Sequence, residues 1–181
     1  QDHEINQVRI DLGENPANRL WLWGQGKKPR LPHFEKEYGL NGAFFTSSDL
    51  VRGIAKTAGL TGLRDALKVS AQTDFVYFHC IAGIQRDLKA KIKKIEDFDT
   101  FVGNILKHYD KEPVRVAVAG DLTESLPQKK YTRNPTLVLT AGEGITPEKN
   151  TAFNEKACGQ SALIEKGHEL FQSLSCSKRF F

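Results

Sequence analysis

The stretch DFVYFHCIAGIQRDLKAKIKKIEDFDTFVGNILKHYDKEPVRVAVAG, residues 74–120, contains the clearest secondary-structure signals in the chain. Asp74–Cys80 is apolar on both faces and rich in aromatic residues, which predicts a buried strand. Gln85–Tyr109 carries apolar residues at three- and four-residue spacing, which predicts a long amphipathic helix. A Val-rich strand is predicted at Pro113–Gly120. This strand, helix and strand order predicts a parallel sheet, because the helix carries the chain back across the sheet.

The flanking segments continue the same alternation. Gly42–Thr46 and Pro135–Thr140 are predicted strands, and Ser48 lies in a predicted helix cap. Ala17–Trp23, with Leu on one face and Trp on the other, predicts a short strand buried on both sides. Residues 61–72 predict a second, weaker helix, and a last helix carries Leu163, Ile164, His168, Leu170 and Phe171. We therefore predict an α/β fold, a largely parallel sheet with helices on both faces.

The predicted domain organisation has three parts. Residues 1–16 are polar and predict an extended N-terminal arm, residues 17–174 form one α/β domain, and residues 175–181 form a C-terminal tail. The chain contains no Met and starts at Gln1, so we expect a processed chain or a fragment.

Composition excludes several classes of protein. The chain has 181 residues, of which 39% are hydrophobic and 27% charged, which is typical of a globular domain rather than a disordered one. No apolar run approaches the ~20 residues that span a bilayer. The net charge of +4 is spread along the chain, and its basic clusters are more typical of solvated faces than of a nucleic-acid site. The three Cys residues lack CxxC spacing, so we expect free thiols in a reducing compartment.

Few residues point to chemistry by their pattern alone. The Gly24–Lys28 loop, with Lys27 and Arg30, suits a phosphate but also suits a structural turn. His79 ends a predicted strand, at the edge where α/β sheets place their sites, and is either a ligand or a packed side chain. Asp121 follows the next strand and either binds a hard cation or caps a turn. These patterns alone define an α/β domain and no reaction.

Several segments, in order along about residues 6–174, resemble the archaeal-type cofactor-independent phosphoglycerate mutases of the alkaline phosphatase superfamily. They include NPANRLWLWGQGKKP (15–29), SDLVRGI (48–54), DFVYFH (74–79), DLKAKIKKIE (87–96) and IEKGH (164–168). The resemblance covers roughly the second half of such an enzyme. It implies an α/β metalloenzyme fold and transfer of a phosphoryl group between the 3- and 2-positions of glycerate, through a phosphorylated Ser and two divalent metals.

The sequence departs from that family where the family binds its metals. The family has an Asp-Glu-Ala-Gly-His loop after the strand that ends here at His79, whereas Cys80–Arg86 contains neither ligand. The family's following Asp-His pair is Asp121-Leu122 here, and a later His ligand falls on Tyr131. Its Ser nucleophile lies in the other half, outside these residues. Asp121 is therefore only a vestigial ligand position, and we expect no catalytic residue, no metal and no cofactor.

These departures predict a pseudoenzyme, a catalytically inactive mutase-like domain that serves as a structural or accessory subunit of a large organellar complex. The expected partners are protein subunits, with nucleic acid only if the assembly is a ribosome, and the mitochondrion is favoured over the plastid. Phe180 and Phe181 beside two cations predict a partner contact, against the alternative of a frayed end. Two alternatives stay open: a fragment of a metal-dependent mutase, and a metabolite-binding relative that holds a phosphate at Lys27 and Arg30.

Overall fold

A computed structural model of the chain describes residues 2–81, 87–125, 130–147 and 152–174. The chain divides into two units, Gln1–Arg30 and Leu31–Phe181. The predicted C-terminal tail, residues 175–181, lies outside the described residues.

The first unit contains one helix, α1 (Glu4–Asp11), among its described residues. His3 caps it, since its Nδ1 accepts a hydrogen bond from the Ile5 N–H at 3.2 Å. Asn6 is 6% exposed, and its amide exchanges two 2.8 Å hydrogen bonds with the backbone of Ala17. The prediction of an extended conformation was therefore wrong for residues 4–11. A local cap and one buried amide form a helix there without an apolar stripe.

The prediction of a strand at Ala17–Trp23 was also wrong. These residues form neither helix nor strand, and the side chains of Leu20, Trp21, Leu22 and Trp23 are 82–95% exposed. The physical reason is that a strand is stable only when a neighbouring strand pairs with its backbone, and the first unit offers none among its described residues.

The second unit is built on a parallel sheet of three strands. β1 (Gly42–Thr46) lies between β2 (Thr61–Gly62) and β3 (Phe75–His79). In the register of β1 and β3, Gly42 faces Phe75 and Thr46 faces His79, so both strands end at the same edge. This confirms the predicted α/β class with a parallel sheet.

Two further strand pairs are antiparallel. β4 (Arg115–Ala119) pairs with β7 (Val138–Gly142), and β5 (Glu124–Ser125) pairs with β6 (Lys130–Tyr131). The apolar runs Pro113–Gly120 and Pro135–Thr140 predicted the two longer strands. The parallel pairing expected from the strand, helix and strand order of residues 74–120 was wrong for β4, which pairs with β7 in a separate antiparallel pair.

Among its described residues, the second unit also contains five helices. They are α2 (Phe34–Tyr38), α3 (Asp49–Thr57), α4 (Leu88–His108), α5 (Glu155–Cys158) and α6 (Gly167–Leu174). Side-chain caps fix two starts: Ser48 Oγ accepts from the Val51 N–H at 3.4 Å, and Asp87 Oδ2 accepts from the Ala90 N–H at 3.0 Å. Of these, α4 lies within the predicted Gln85–Tyr109. Among the described residues, no helix has both the length and the apolar character that crossing a membrane requires.

The prediction of a helix at residues 61–72 was wrong. Thr61–Gly62 forms β2, and the residues that follow are turns. Asp65 explains part of this result, because its carboxylate accepts a hydrogen bond from the Leu67 N–H at 3.1 Å, an Asx turn that competes with helix. The same hydrogen bond lowers the pKa of Asp65 below its ordinary value.

The core is formed by buried residues of the central strands β1 and β3. Ala43, Phe44 and Val76 are 1–3% exposed. An aromatic cluster joins α2, β3 and α6, with ring centroids 4.8–5.7 Å apart; its members are Phe34, Tyr38, Phe75 and Phe171. Phe78 contacts Phe101 at 5.2 Å, which packs α4 on β3. This packing fixes the position of the strand end that carries His79.

Candidate functional site

The carboxyl ends of β1 and β3 bring a hydroxyl and an imidazole together. Thr46 Oγ1 and His79 Nδ1 are 3.0 Å apart, and the Ser48 N–H donates to Thr46 Oγ1 at 3.0 Å. A hydroxyl group both donates and accepts hydrogen bonds, so Thr46 can make both contacts at once and hold the imidazole ring in place.

A tyrosine and a carboxylate adjoin this pair. The Tyr77 ring stacks on the His79 ring with centroids 6.2 Å apart. Burial raises the pKa of Tyr77 above its ordinary value, and the negative charge of Asp121 raises it further. Asp121 is exposed just after β4, so the end of this antiparallel strand lies close enough to β3 for the two groups to interact. The edge therefore combines His79, Tyr77 and Asp121 from two strand ends.

A cation lies at the same edge, on the first turn of α3. Arg52 Nη1 pairs with Asp49 at 2.7 Å, and Nη2 donates to the Thr46 carbonyl at 3.4 Å. The guanidinium group of Arg52 is therefore engaged mainly in the ion pair with Asp49.

The fit of this edge to divalent metals is poor. Within residues 2–81, 87–125, 130–147 and 152–174, no three side chains of His, Cys, Asp or Glu come together as a metal-binding group. Leu122 and Tyr131, at the positions where the family resemblance places imidazoles, are 58% and 66% exposed and offer no imidazole. Among the described residues, Asp121 therefore belongs to no group of three such ligands.

The other predicted site residues belong to the first unit or lie outside the described residues. Lys27 and Arg30 are exposed in the first unit, and neither makes a hydrogen bond or an ion pair within the described ranges. Phe180 and Phe181 lie outside the described residues.

A groove lies at the opposite, amino edge of the sheet. Asn41, Gly42, Ser70 and Gln72 are among the residues that line it. Sites in α/β sheets form beyond the carboxyl ends of the strands, so the edge with Thr46 and His79 is the stronger candidate.

The Thr46–His79 pair was missed from the sequence, where only His79 was considered. A signal was present, because both residues are polar and each ends a predicted strand. The register that places Thr46 opposite His79 was needed to pair them.

The substitution Asp121→Asn should lower the pKa of Tyr77, because it removes a negative charge that opposes the phenolate. The pKa should stay above about 10, since burial, the larger cause, remains. Ultraviolet titration of the phenolate, with Tyr77→Phe as the reference that identifies the signal, measures the change. An unchanged or higher pKa would show that Asp121 does not act on this ring.

The sign of the pH effect on stability follows from the raised pKa. Since Tyr77 holds its proton more tightly when folded, its contribution to stability is complete below the unfolded pKa of about 10 and is lost as the pH rises through the folded value.

Comparison with known proteins finds relatives that share one description. No protein-family model matches the chain. It is 35% identical over 186 residues to a 2,3-bisphosphoglycerate-independent phosphoglycerate mutase of Methanosarcina acetivorans, which covers 89% of this chain and 47% of the relative. A second such mutase, from Methanothermobacter thermautotrophicus, is 30% identical over 90% of this chain and 46% of its own length. The chain therefore spans about half the length of the curated relatives it matches.

Solved structures agree with these relatives. The PH0037 protein from Pyrococcus horikoshii matches 87% of this chain and 48% of its own, with a TM-score of 0.67 and 27% identity. A cofactor-independent phosphoglycerate mutase from Thermoplasma acidophilum matches 96% of this chain and 46% of its own, with a TM-score of 0.66. At 20% identity, the second match supports the fold alone.

Proposed function

Because the chain is a homologue of the 2,3-bisphosphoglycerate-independent phosphoglycerate mutases over about half of their length, we propose that it is a mutase-like domain without a working metal site, which acts through contacts with other proteins. The observation that supports this most strongly is the surroundings of Asp121. Its neighbour is Leu122, and no group of three metal-ligating side chains forms within the described residues.

Metal-assisted phosphoryl transfer depends on ligands that converge. Each divalent cation takes several carboxylate or imidazole groups, and their charge offsets the cost of removing water from the ion. A single exposed carboxylate beside an apolar side chain provides too little of this compensation. The Thr46–His79 pair adds one imidazole, whose Nδ1 is already engaged by Thr46.

Calorimetric titration with Mn²⁺ tests the missing metal site without an assay of activity. We expect no binding below millimolar concentrations, and the same trace for wild type and for Asp121→Asn. Asp110→Asn, a substitution of an exposed carboxylate beyond the end of α4, is the matched control. Submillimolar binding that Asp121→Asn abolishes and Asp110→Asn preserves would overturn the proposal.

The role in an assembly is supported by apolar side chains that the described fold leaves uncovered. Leu50 and Ile54 on α3 are 74% and 53% exposed, and Leu88 and Ile95 on α4 are 55% and 54% exposed. Burial of such groups at an interface is favourable by about 25 cal/mol per Å².

The proposed setting is a large organellar complex, and the mitochondrion is favoured over the plastid. The terminal residues Phe180 and Phe181 are proposed as a further contact with a partner. Fractionation of source cells tests the compartment.

One alternative function is a fragment of a metal-dependent mutase that a second polypeptide completes. The observation that favours it is the half-length match to the relatives. This alternative predicts that Mn²⁺ binds only when the second polypeptide is present, whereas the main proposal predicts no binding in either case.

The other alternative, binding of a phosphorylated metabolite, makes a separate prediction. If Lys27 and Arg30 hold a phosphate, millimolar 3-phosphoglycerate should raise the melting temperature, and Lys27→Ala should abolish the rise. Lys111→Ala, at an exposed Lys of the second unit, is the control that should keep the rise. Our main proposal predicts no shift in any of the three proteins.

A further inference from the structure

The segment of residues 18–23, which we call the LWLW segment, has the composition of an interior strand but is uncovered. Leu20, Trp21, Leu22 and Trp23 are 95%, 86%, 84% and 82% exposed. In an extended chain the two Leu side chains lie on one face and the two Trp side chains on the other. Strands that are apolar on both faces are typical of sheet interiors, where they are covered on both sides.

The backbone of this segment is also unpaired. Residues 18–30 make no hydrogen bond and no ion pair in the part of the chain that the structure describes. The preceding residue, Ala17, is fixed by its two 2.8 Å hydrogen bonds to Asn6. The LWLW segment thus starts from an anchored point and offers a row of free N–H and C=O groups, which is a template for pairing with another strand.

The charge of the surrounding residues identifies the chemistry of the partner. Residues 17–30 contain four cations, Arg19, Lys27, Lys28 and Arg30, and no acidic residue. The chain has 26 basic and 22 acidic residues, so 22 basic residues balance the 22 acidic ones outside this segment. The four cations of residues 17–30 therefore account for the net charge of +4. An acidic surface on a partner complements them.

Two other occupants fit these observations less well. A lipid surface covers one face of an extended segment and cannot pair its backbone. A second copy of this chain offers an open strand edge at β3, which has β1 on one side only within the described residues. However, the rest of that copy has no net negative charge to attract the four cations.

We propose that the LWLW segment adds as a strand to an open sheet edge of a different protein, which carries carboxylates beside that edge. This inference rests on the proposed function, because it names the contact through which the domain joins its assembly. Pairing would satisfy the free backbone groups, and the partner's sheet would bury Leu and Trp side chains on both faces.

Hydrogen–deuterium exchange of the native assembly, purified through a tag on this chain, tests the proposal. Backbone amides of residues 18–23 should exchange at least about tenfold more slowly in the assembly than in the isolated chain. The double variant Trp21→Ser/Trp23→Ser should be lost from the assembly. The matched control Leu163→Ser/Ile164→Ser, which alters two exposed apolar residues between α5 and α6, should still join it.

Charge reversal tests the acidic partner separately. Lys27→Glu/Lys28→Glu should reduce the recovery of the assembly, and raised salt should reduce it for wild type too. The control Lys89→Glu/Lys94→Glu changes exposed cations on α4 by the same charge and should have little effect.

The remaining outcomes overturn the proposal in distinguishable ways. If the chain is in the assembly but residues 18–23 exchange as fast as in the isolated chain, this contact is wrong and the proposed function stands. If the chain is free in the cell extract, both the contact and the proposed function are wrong.

Trp21 and Trp23 are the only tryptophans of the chain, so their fluorescence reports this segment in the isolated protein. A concentration-dependent blue shift with dimer formation would identify a second copy as the occupant. A blue shift with phosphatidylcholine–phosphatidylserine vesicles would identify a membrane.

Discussion

Gly142→Ala is expected to lower the free energy of unfolding by about 3–5 kcal/mol. Gly142 ends β7 with a φ of +119°, and an added Cβ would lie 2.2 Å from the Val114 carbonyl oxygen and 2.8 Å from the Arg115 Cα. These are backbone atoms of the paired strand, so no side-chain rotation relieves the contact. Urea unfolding followed by circular dichroism measures the loss.

Gly53→Ala is the matched control for that substitution. Gly53 lies within α3, and no atom would lie within 4 Å of its added Cβ. Alanine should stabilise this helix by about 0.5–1 kcal/mol. Equal stability changes for the two variants would contradict the strained backbone at Gly142.

Phe44→Ala should destabilise the second unit by about 3–5 kcal/mol, because it leaves a cavity in the central strand. Phe44 is 3% exposed in β1, and its ring lies 3.2 Å from the position of a Cβ on Gly62, so it also supports the short strand β2. The same urea experiment measures this change. Leu50→Ala, at a residue 74% exposed, should change stability by less than about 0.5 kcal/mol. A loss below about 1 kcal/mol for Phe44→Ala would mean that β1 is not the core of the fold.

The elements that local pattern determines were predicted correctly. The helix α4 follows from its apolar spacing and from the Asp87 cap, and β1 and β3 follow from short runs that are apolar on both faces. These signals are local, and the long-range packing agrees with them. The resemblance to phosphoglycerate mutases was confirmed by relatives that match about nine-tenths of the chain.

The wrong predictions fall where structure depends on particular partners. Ala17–Trp23 has the composition of a strand, but pairing requires a second strand that the sequence pattern cannot supply. Residues 4–11 lack an apolar stripe, yet the hydrogen bonds of Asn6 with Ala17 hold a helix there. Residues 61–72 contain apolar positions at helical spacing, but Asp65 forms a turn instead.

The candidate site was only partly predictable for the same reason. His79 and Asp121 stand out as polar residues at strand ends, and their position follows from the predicted strands. The contact of His79 with Thr46 depends on strand register, and the action of Asp121 on Tyr77 depends on how β4 lies near β3. Neither is encoded in the spacing of a single segment.

The native size of the protein in a mild detergent extract of its source cells tests the central claim most directly. On a native gel, a tagged copy should migrate with a particle far larger than its own 20.3 kDa, together with the proteins that pair with it. Migration as a free monomer would contradict the account and would turn attention to metabolite binding at Lys27 and Arg30.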